Sequence, residues 1–159
     1  MGVRTADVIY RVADATERPA VTELWRRIEN DAEFMLAEPG ERAAPMEDRS
    51  FEIVAGSDPL LGALRVTVGR FQRVAHCGHL VLGVLPSHQG QGIGTGLLHT
   101  LITQEAPARG LTRLQLNVAV ENPAHRLYQR LGFTIEGIRK HAVMVDGIPR
   151  DEYAMALLL

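Results

Sequence analysis

The sequence predicts a mixed α/β domain, and three observations carry that expectation. Short β-rich runs alternate with stretches whose apolar residues recur at helical spacing. Four glycines at every second position, Gly90, Gly92, Gly94 and Gly96, separate a nearly continuous apolar run from a helical pattern. The last twenty-odd residues read as two strands joined by Asp146-Gly147, a strong hairpin signal.

The 159 residues suffice for one domain, taken here as residues 1–159, with a substantial core. Hydrophobic residues make up 46% and charged residues 23%, an ordinary globular balance. A formal net charge of −2 gives no whole-chain field favouring nucleic acid or an anionic membrane. Cys77 is the single cysteine, so no internal disulfide can form. Arg4, Asp7 and Arg11 stand where a signal peptide would be apolar, and no long apolar run follows. The expectation is a cytoplasmic protein.

Residues 8–13 read as a first strand. Asp14 or Thr16 can cap the helix that follows, with Pro19 in its first turn, where a missing N–H costs nothing. Val21, Leu24, Trp25 and Ile28 give that helix one apolar face, and Asp31 to Glu38 read as a further short helix. Pro39, Gly40 and Pro45 make residues 39–49 a loop. Strands are expected at Phe51–Ala55, Leu61–Val68 and His79–Leu85, the last apolar enough to be covered on both faces. Ile93, Leu97, Leu98, Leu101 and Ile102 mark a helix closed by Pro107. Leu114, Leu116 and Val118 alternate as a strand. Asn122 can cap a helix with Pro123 at its first position and Gly132 as its stop. The tail pairs Ile138–Val145 with Asp151–Leu158.

Strand, glycine-rich turn and helix together make a phosphate site. The first amides of a helix have no internal partner, and the helix dipole adds partial positive charge there. Glycine lets a diphosphate approach the backbone closely. The nucleotide-binding P-loop pattern fails for want of a lysine, and the dinucleotide fingerprint fails because Thr95 and Leu97 stand where its third glycine would be.

At this point the sequence resembles a family. Gln89-Gly90-Gln91-Gly92-Ile93-Gly94 matches the acetyl-CoA motif [RQ]-x-x-G-x-[GA] of the GNAT N-acetyltransferases, preceded by Val84 and Pro86. Leu127-Tyr128-Gln129-Arg130-Leu131-Gly132-Phe133 matches the L-Y-x-x-x-G-F signature of the same family. The resemblance implies a single mixed, mostly antiparallel sheet flanked by helices, in which the fourth strand splays from the fifth to receive the pantetheine arm of acetyl-CoA. It further implies that backbone groups of Leu82 and Val84 pair with the pantetheine amides. Amides from Gln89 through Gly90, Gln91, Gly92, Ile93 and Gly94 to Thr95 would hold the pyrophosphate. Tyr128 would present its hydroxyl to the coenzyme sulfur as the acid. Asn122 stands six positions before Tyr128 where the family has seven, so both coenzyme contact and a helix-capping role stay open for it.

The base is less evident. The family's base positions on the fourth strand are here Leu80 and Gly78, which cannot serve; His76 shares their strand parity and is the candidate, whereas His79 faces the other way. Glu33, Glu38 and Glu41 are available to bind an amine. His76, Cys77 and His79 lack a second ligand pair, so no metal is expected, and His88, His99, His125 and His141 read as structural. The runs Phe34–Glu41 and Gly137–Met155 are similar to the branch acting on free amino acids, polyamines or ribosomal-protein N-termini. The resemblance therefore implies acetyl transfer from acetyl-CoA to a small primary amine. A protein N-terminal acetyltransferase and a non-catalytic acyl-CoA-binding module are the alternatives, and a homodimer is in keeping with the family.

Overall fold

Seven strands form one sheet: β1 (Tyr10–Val12), β2 (Phe51–Gly56), β3 (Leu60–Val68), β4 (Cys77–Val84), β5 (Arg113–Ala119), β6 (Thr134–Val145) and β7 (Ile148–Leu158). Their spatial order is β1-β2-β3-β4-β5-β7-β6. Every pairing is antiparallel except that of β4 with β5. The computed structural model describes residues 7–31, 35 and 49–159. The expected helix after Asp31, and the loop as far as residue 48, lie outside the described residues.

Helix α1 (Arg18–Asp31) starts where the sequence places it. Asp14 is the cap: its carboxylate accepts the Thr16 N–H at 2.8 Å, while Glu17 accepts the Asp14 N–H at 3.0 Å. Val21, Leu24, Trp25 and Ile28 are buried and pack on Val54, Ala63, Leu60 and Leu85. The Trp25 indole and the Arg65 guanidinium both donate to Glu52 Oε1 at 2.8 Å, and Arg65 lies 5.1 Å from the Trp25 ring centroid. This pins α1 over β2 and β3.

The opposite face carries α2 (Ile93–Thr100), a π-helical turn (Leu101–Glu105), α3 (Ala106–Ala108) and α4 (Ala124–Arg130). Ile93, Leu97, Leu98, Leu101, Ala106, Tyr128 and Phe133 meet Ile53, Leu64, Val66, Leu80, Leu114 and Leu116 in the larger core. The helical run does not stop at Pro107. The Ala106 N–H reaches back five residues to Leu101 O, and helical backbone continues to Ala108. Gly110, at φ 68°, then ends it: the Leu111 N–H bonds Ala106 O and the Gly110 N–H bonds Pro107 O. Proline near a helix end removes one donor that the chain can do without, whereas the reversal itself needs the left-handed glycine.

Strand β1 is shorter than its apolar run, because only Tyr10–Val12 find ladder partners, opposite Ala55–Ile53. Beside it Tyr10 packs against α2 where a side chain at Gly96 would stand: an added Cβ there would lie 2.1 Å from the Tyr10 ring. Gly96 is thus a packing residue rather than part of a ligand loop. The C-terminal hairpin is as expected but longer, turning at Asp146 (φ 50°) and Gly147 (φ 74°).

Gly96→Ala should destabilise the protein by about 1–3 kcal/mol in urea unfolding despite its gain in helix propensity. Gly96→Ala in a Tyr10→Ala background should cost less than the same change in the wild type. A stabilising Gly96→Ala single variant would refute the packing argument.

Candidate active site

Strands β4 and β5 pair over only three residues, Cys77–His79 against Arg113–Gln115, and then part. Strand β4 runs on to Val84 against β3, and β5 to Ala119 against β7. The direction of the freed main-chain groups follows from the β3–β4 ladder. The Gly69 N–H donates to Cys77 O at 3.0 Å and the Leu85 N–H donates to Leu61 O at 2.9 Å, at its two ends. With no register shift between them, the odd-numbered residues of β4 bond β3. The Leu80 C=O and both main-chain groups of Leu82 and Val84 therefore turn toward the gap, while the Leu80 N–H closes the last pairing with β5. In keeping with this, Val84 O accepts the Gln89 side-chain amide at 3.2 Å.

At the open end of the gap the chain makes one 3₁₀ turn, Pro86–His88, and enters α2 through Gly92 at φ 82°. Its N-cap is a glycine, with no side chain to cap the helix, and its first internal bond is the Gly96 N–H to Gly92 O at 3.0 Å. The amides of Ile93, Gly94 and Thr95 are left without intrahelical partners. Gly90, at φ 72°, has nothing within 4 Å of where a Cβ would stand. At Gly94 a Cβ would come 3.2 Å from Leu127 Cδ2 and 3.5 Å from Leu82 Cδ2. That one position therefore brings together the first turn of α2, the gap-side strand and α4.

Helix α4 shows what its glycine and phenylalanine do. Gly132 adopts φ 97°, the Phe133 N–H returns to Tyr128 O at 3.0 Å, and the Gly132 N–H returns to Gln129 O at 3.1 Å. The reversal lays Phe133 against Tyr128, ring centroids 5.8 Å apart and edge to face. Tyr128 is 7% exposed, in the core that Leu82 and Val84 join at its margin. Burial pushes its phenol up to about 12, so the O–H keeps its proton at any physiological pH. At the other end of α4, Asn122 Oδ1 accepts the Ala124 N–H at 2.9 Å, which gives Asn122 the capping role.

The two histidines lie on opposite faces of the sheet, as strand alternation predicts. His76 precedes β4, is exposed, and lies 3.4 Å through Nε2 from Cys77 Sγ. It stands at the closed end of the gap, six residues or about 20 Å of strand from Leu82. The parity it shares with Gly78 and Leu80 is the packed one: a Cβ at Gly78 would meet Val66, Leu111 and Leu114, and Leu80 is buried. His79 is half-buried on the other face, at the last paired position of β4. Its pKa is lowered, chiefly by burial and then by Arg139, with Glu152 opposing. Sequence gave the alternation but no sign of which face α2 would cover. Glu33, Glu38 and Glu41 lie outside the described residues. Among the described residues no group of three or more His, Cys, Asp or Glu could hold a metal ion, and no helix is long and apolar enough to cross a membrane.

The model of the acetyltransferase (GNAT) family matches residues 11–133. A spermidine N(1)-acetyltransferase from Vibrio cholerae is 33% identical over 76 residues, 47% of this chain and 44% of that protein. The L-amino acid N-acetyltransferase AaaT of Escherichia coli is 29% identical over 98 residues, 61% of this chain and 60% of that protein. The matched stretch thus spans less than two thirds of either relative. Among solved structures, YncA from Salmonella typhimurium with its cofactor acetyl-CoA superposes with a TM-score of 0.80 at 23% identity, over 96% of this chain and 94% of that one.

A folded-state phenol at about 12 against an ordinary 10.0 binds its proton more tightly than the unfolded chain does. Tyr128 should therefore cost no stability below pH 10 and should destabilise the protein progressively as pH rises from 10 to 12. Urea unfolding across that window should show a shallower fall for Tyr128→Phe than for the wild type. Equal slopes would mean that the hydroxyl is not held in a dry site.

Proposed function

The chain belongs to the GNAT acetyltransferase family, and from that premise we propose that it transfers the acetyl group of acetyl-CoA to the primary amine of a small acceptor. The observation that carries the reading is the gap between β4 and β5, lined by the main-chain groups of Leu82 and Val84 and ending at a helix start whose N-cap is a glycine. A pantetheine arm is an extended chain with amides, and an unpaired strand edge is a partner for such a chain. A diphosphate is the complement of the amides of Ile93, Gly94 and Thr95, with the loop from Gln89 leading into them and the Gln89 N–H itself donating to Pro86 O at 3.4 Å. The residues fit the coenzyme: left-handed Gly90 and Gly92 shape the loop, and the space beside Gly90 is open.

In this reading the chain contributes position and hydrogen bonds rather than covalent chemistry. The Leu82 N–H, directed into the gap, is placed to bond the thioester carbonyl oxygen as it gains charge. A phenol that burial pushes up to about 12 is a poor proton donor to a thiolate whose thiol has an ordinary pKa of about 8.5, but a good hydrogen-bond donor to that thiolate as it develops. Tyr128 thus stabilises the leaving sulfur without giving up its proton. Asn122, engaged through Oδ1 at the helix start, keeps its amide N–H groups for the coenzyme.

For the acceptor, the relatives named for spermidine and for L-amino acids support a small amine over a peptide. The first test is calorimetric titration with acetyl-CoA, NADH and ATP in parallel, followed by thiol release with amino acids, polyamines and an N-terminal peptide. Only acetyl-CoA should bind, and only small amines should release thiol. Tyr128→Phe should bind acetyl-CoA normally and lose about 10²-fold in kcat. Failure of the folded protein to bind acetyl-CoA would overturn the reading.

A further inference from the structure

We propose that His79, where β4 and β5 part, takes the proton from the acceptor's ammonium group, and that the acceptor approaches the thioester from the α1 side of the sheet. The inference rests on the acetyl-transfer reading above.

The face is fixed by two glycines of the same strand. A Cβ at Gly78 would enter the core beneath α2, whereas one at Gly83 would lie 2.8 Å from Trp25 Cζ3 and 2.9 Å from Ile28 Cγ2 on α1. Alternation then puts His79 and Val81 on the α1 side. Helix α1 covers that side only over β2, β3 and the far end of β4, through Val54, Ala63 and Leu85. Over β5, β7 and β6 no described helix lies on it. Val81 is 41% exposed and Asn117 is exposed. Among the described residues nothing covers the α1 side beside the point where the strands separate, while the α2 side is filled.

Among the described residues, the other charged groups that share this face are already engaged. Glu52 on β2 holds the Trp25 indole and Arg65 of β3. Glu152 on β7 holds Arg139 of β6 at 3.0 Å. Arg113 on β5 is engaged by Gln115 and Glu136, and Cys77 on β4 lies against His76. Each carboxylate on this floor thus already faces a guanidinium. The His79 ring makes no hydrogen bond among the described residues, and burial with Arg139 nearby keeps it neutral at pH 7, Glu152 opposing only in part. The Leu82 N–H is three residues, about 10 Å of strand, away, which the imidazole and one water span.

The acceptor ammonium loses one proton to the neutral imidazole, and the freed nitrogen lone pair forms the C–N bond to the acetyl carbon. The C–S bond breaks with its electron pair on sulfur, the second nitrogen proton goes to that sulfur, and the imidazolium releases the first to solvent. Amide, free thiol and one proton result.

The test compares His79→Gln and His76→Gln with the wild type, using acetyl-CoA and the best acceptor from the panel of amino acids and polyamines. Wild-type kcat/KM should fall below a pKa lower than that of an ordinary histidine and stay level up to the acceptor's own pKa. His79→Gln should lose 10²–10³-fold in kcat. Its kcat/KM should climb with unit slope to the acceptor's pKa, while its acetyl-CoA affinity stays unchanged. His76→Gln should behave as wild type. A His79→Gln enzyme with the wild-type profile, or one that no longer binds acetyl-CoA, would overturn the assignment, the second because it makes the ring structural. Should the wild type bind acetyl-CoA yet transfer to no amine, both readings fall; an active wild type with an unaltered His79→Gln profile removes only this one.

Discussion

Everything at the site depends on the early end of the one parallel pairing in the sheet. Three residue pairs join β4 to β5, after which two strand edges that would ordinarily satisfy each other are left facing a gap. The β3–β4 and β5–β7 ladders on either side run without a register shift, so the open seam is a specific feature and not general looseness. Below the seam the first turn of α2 lies close to Leu82 and Leu127, so that a Cβ at Gly94 would touch both, and Tyr128 belongs to the same core. Unpaired main-chain groups inside a fold are costly unless water or a ligand bonds them. The seam therefore stores binding capacity in backbone atoms, where substitution cannot easily remove it.

Around the seam the protein uses its two faces differently. The α2 side is a dry core in which even a glycine, Gly78, is hemmed in by Val66, Leu111 and Leu114. The α1 side is polar and ion-paired, with Glu52, Arg65, Arg139 and Glu152 held in fixed pairs. Partly buried pairs of this kind add little net stability but fix the positions of their members. The Trp25–Glu52–Arg65 cluster also anchors α1, so the wall on one side of the open floor stays where the sheet puts it.

Much of this was legible in the sequence because it is local. The hairpin announces itself through Asp146-Gly147, and both backbone angles there are positive. The glycine-rich helix start and the Leu-Tyr…Gly-Phe run are each contained within one turn and its flanks. The second is now a physical statement as well as a pattern, since Gly132 reverses the chain and Phe133 lands on Tyr128. What could not be read depends on distant packing. Strand alternation separates His76 from His79, but which parity meets solvent is decided by where α2 docks. Pro107 looked like a stop, yet the π-helical turn before it and Gly110 after it carry the helix past. The length of β1 was set by β2, not by its own run of apolar residues.

The outermost strand has its own consequence. Strand β6 lies at the sheet edge, with Ile138, Met144 and Val145 exposed. Its register with β7 breaks between Arg139 and Val143, where His141 takes φ 50° and its N–H turns to the Asp151 carboxylate at 2.9 Å. A long, flat apolar edge would be a template for open-ended sheet growth. The bulge bends this one midway, so a foreign strand can follow its first half or its last few residues but not the whole. Asp151, by accepting the His141 N–H, holds the bend that interrupts this apolar edge midway.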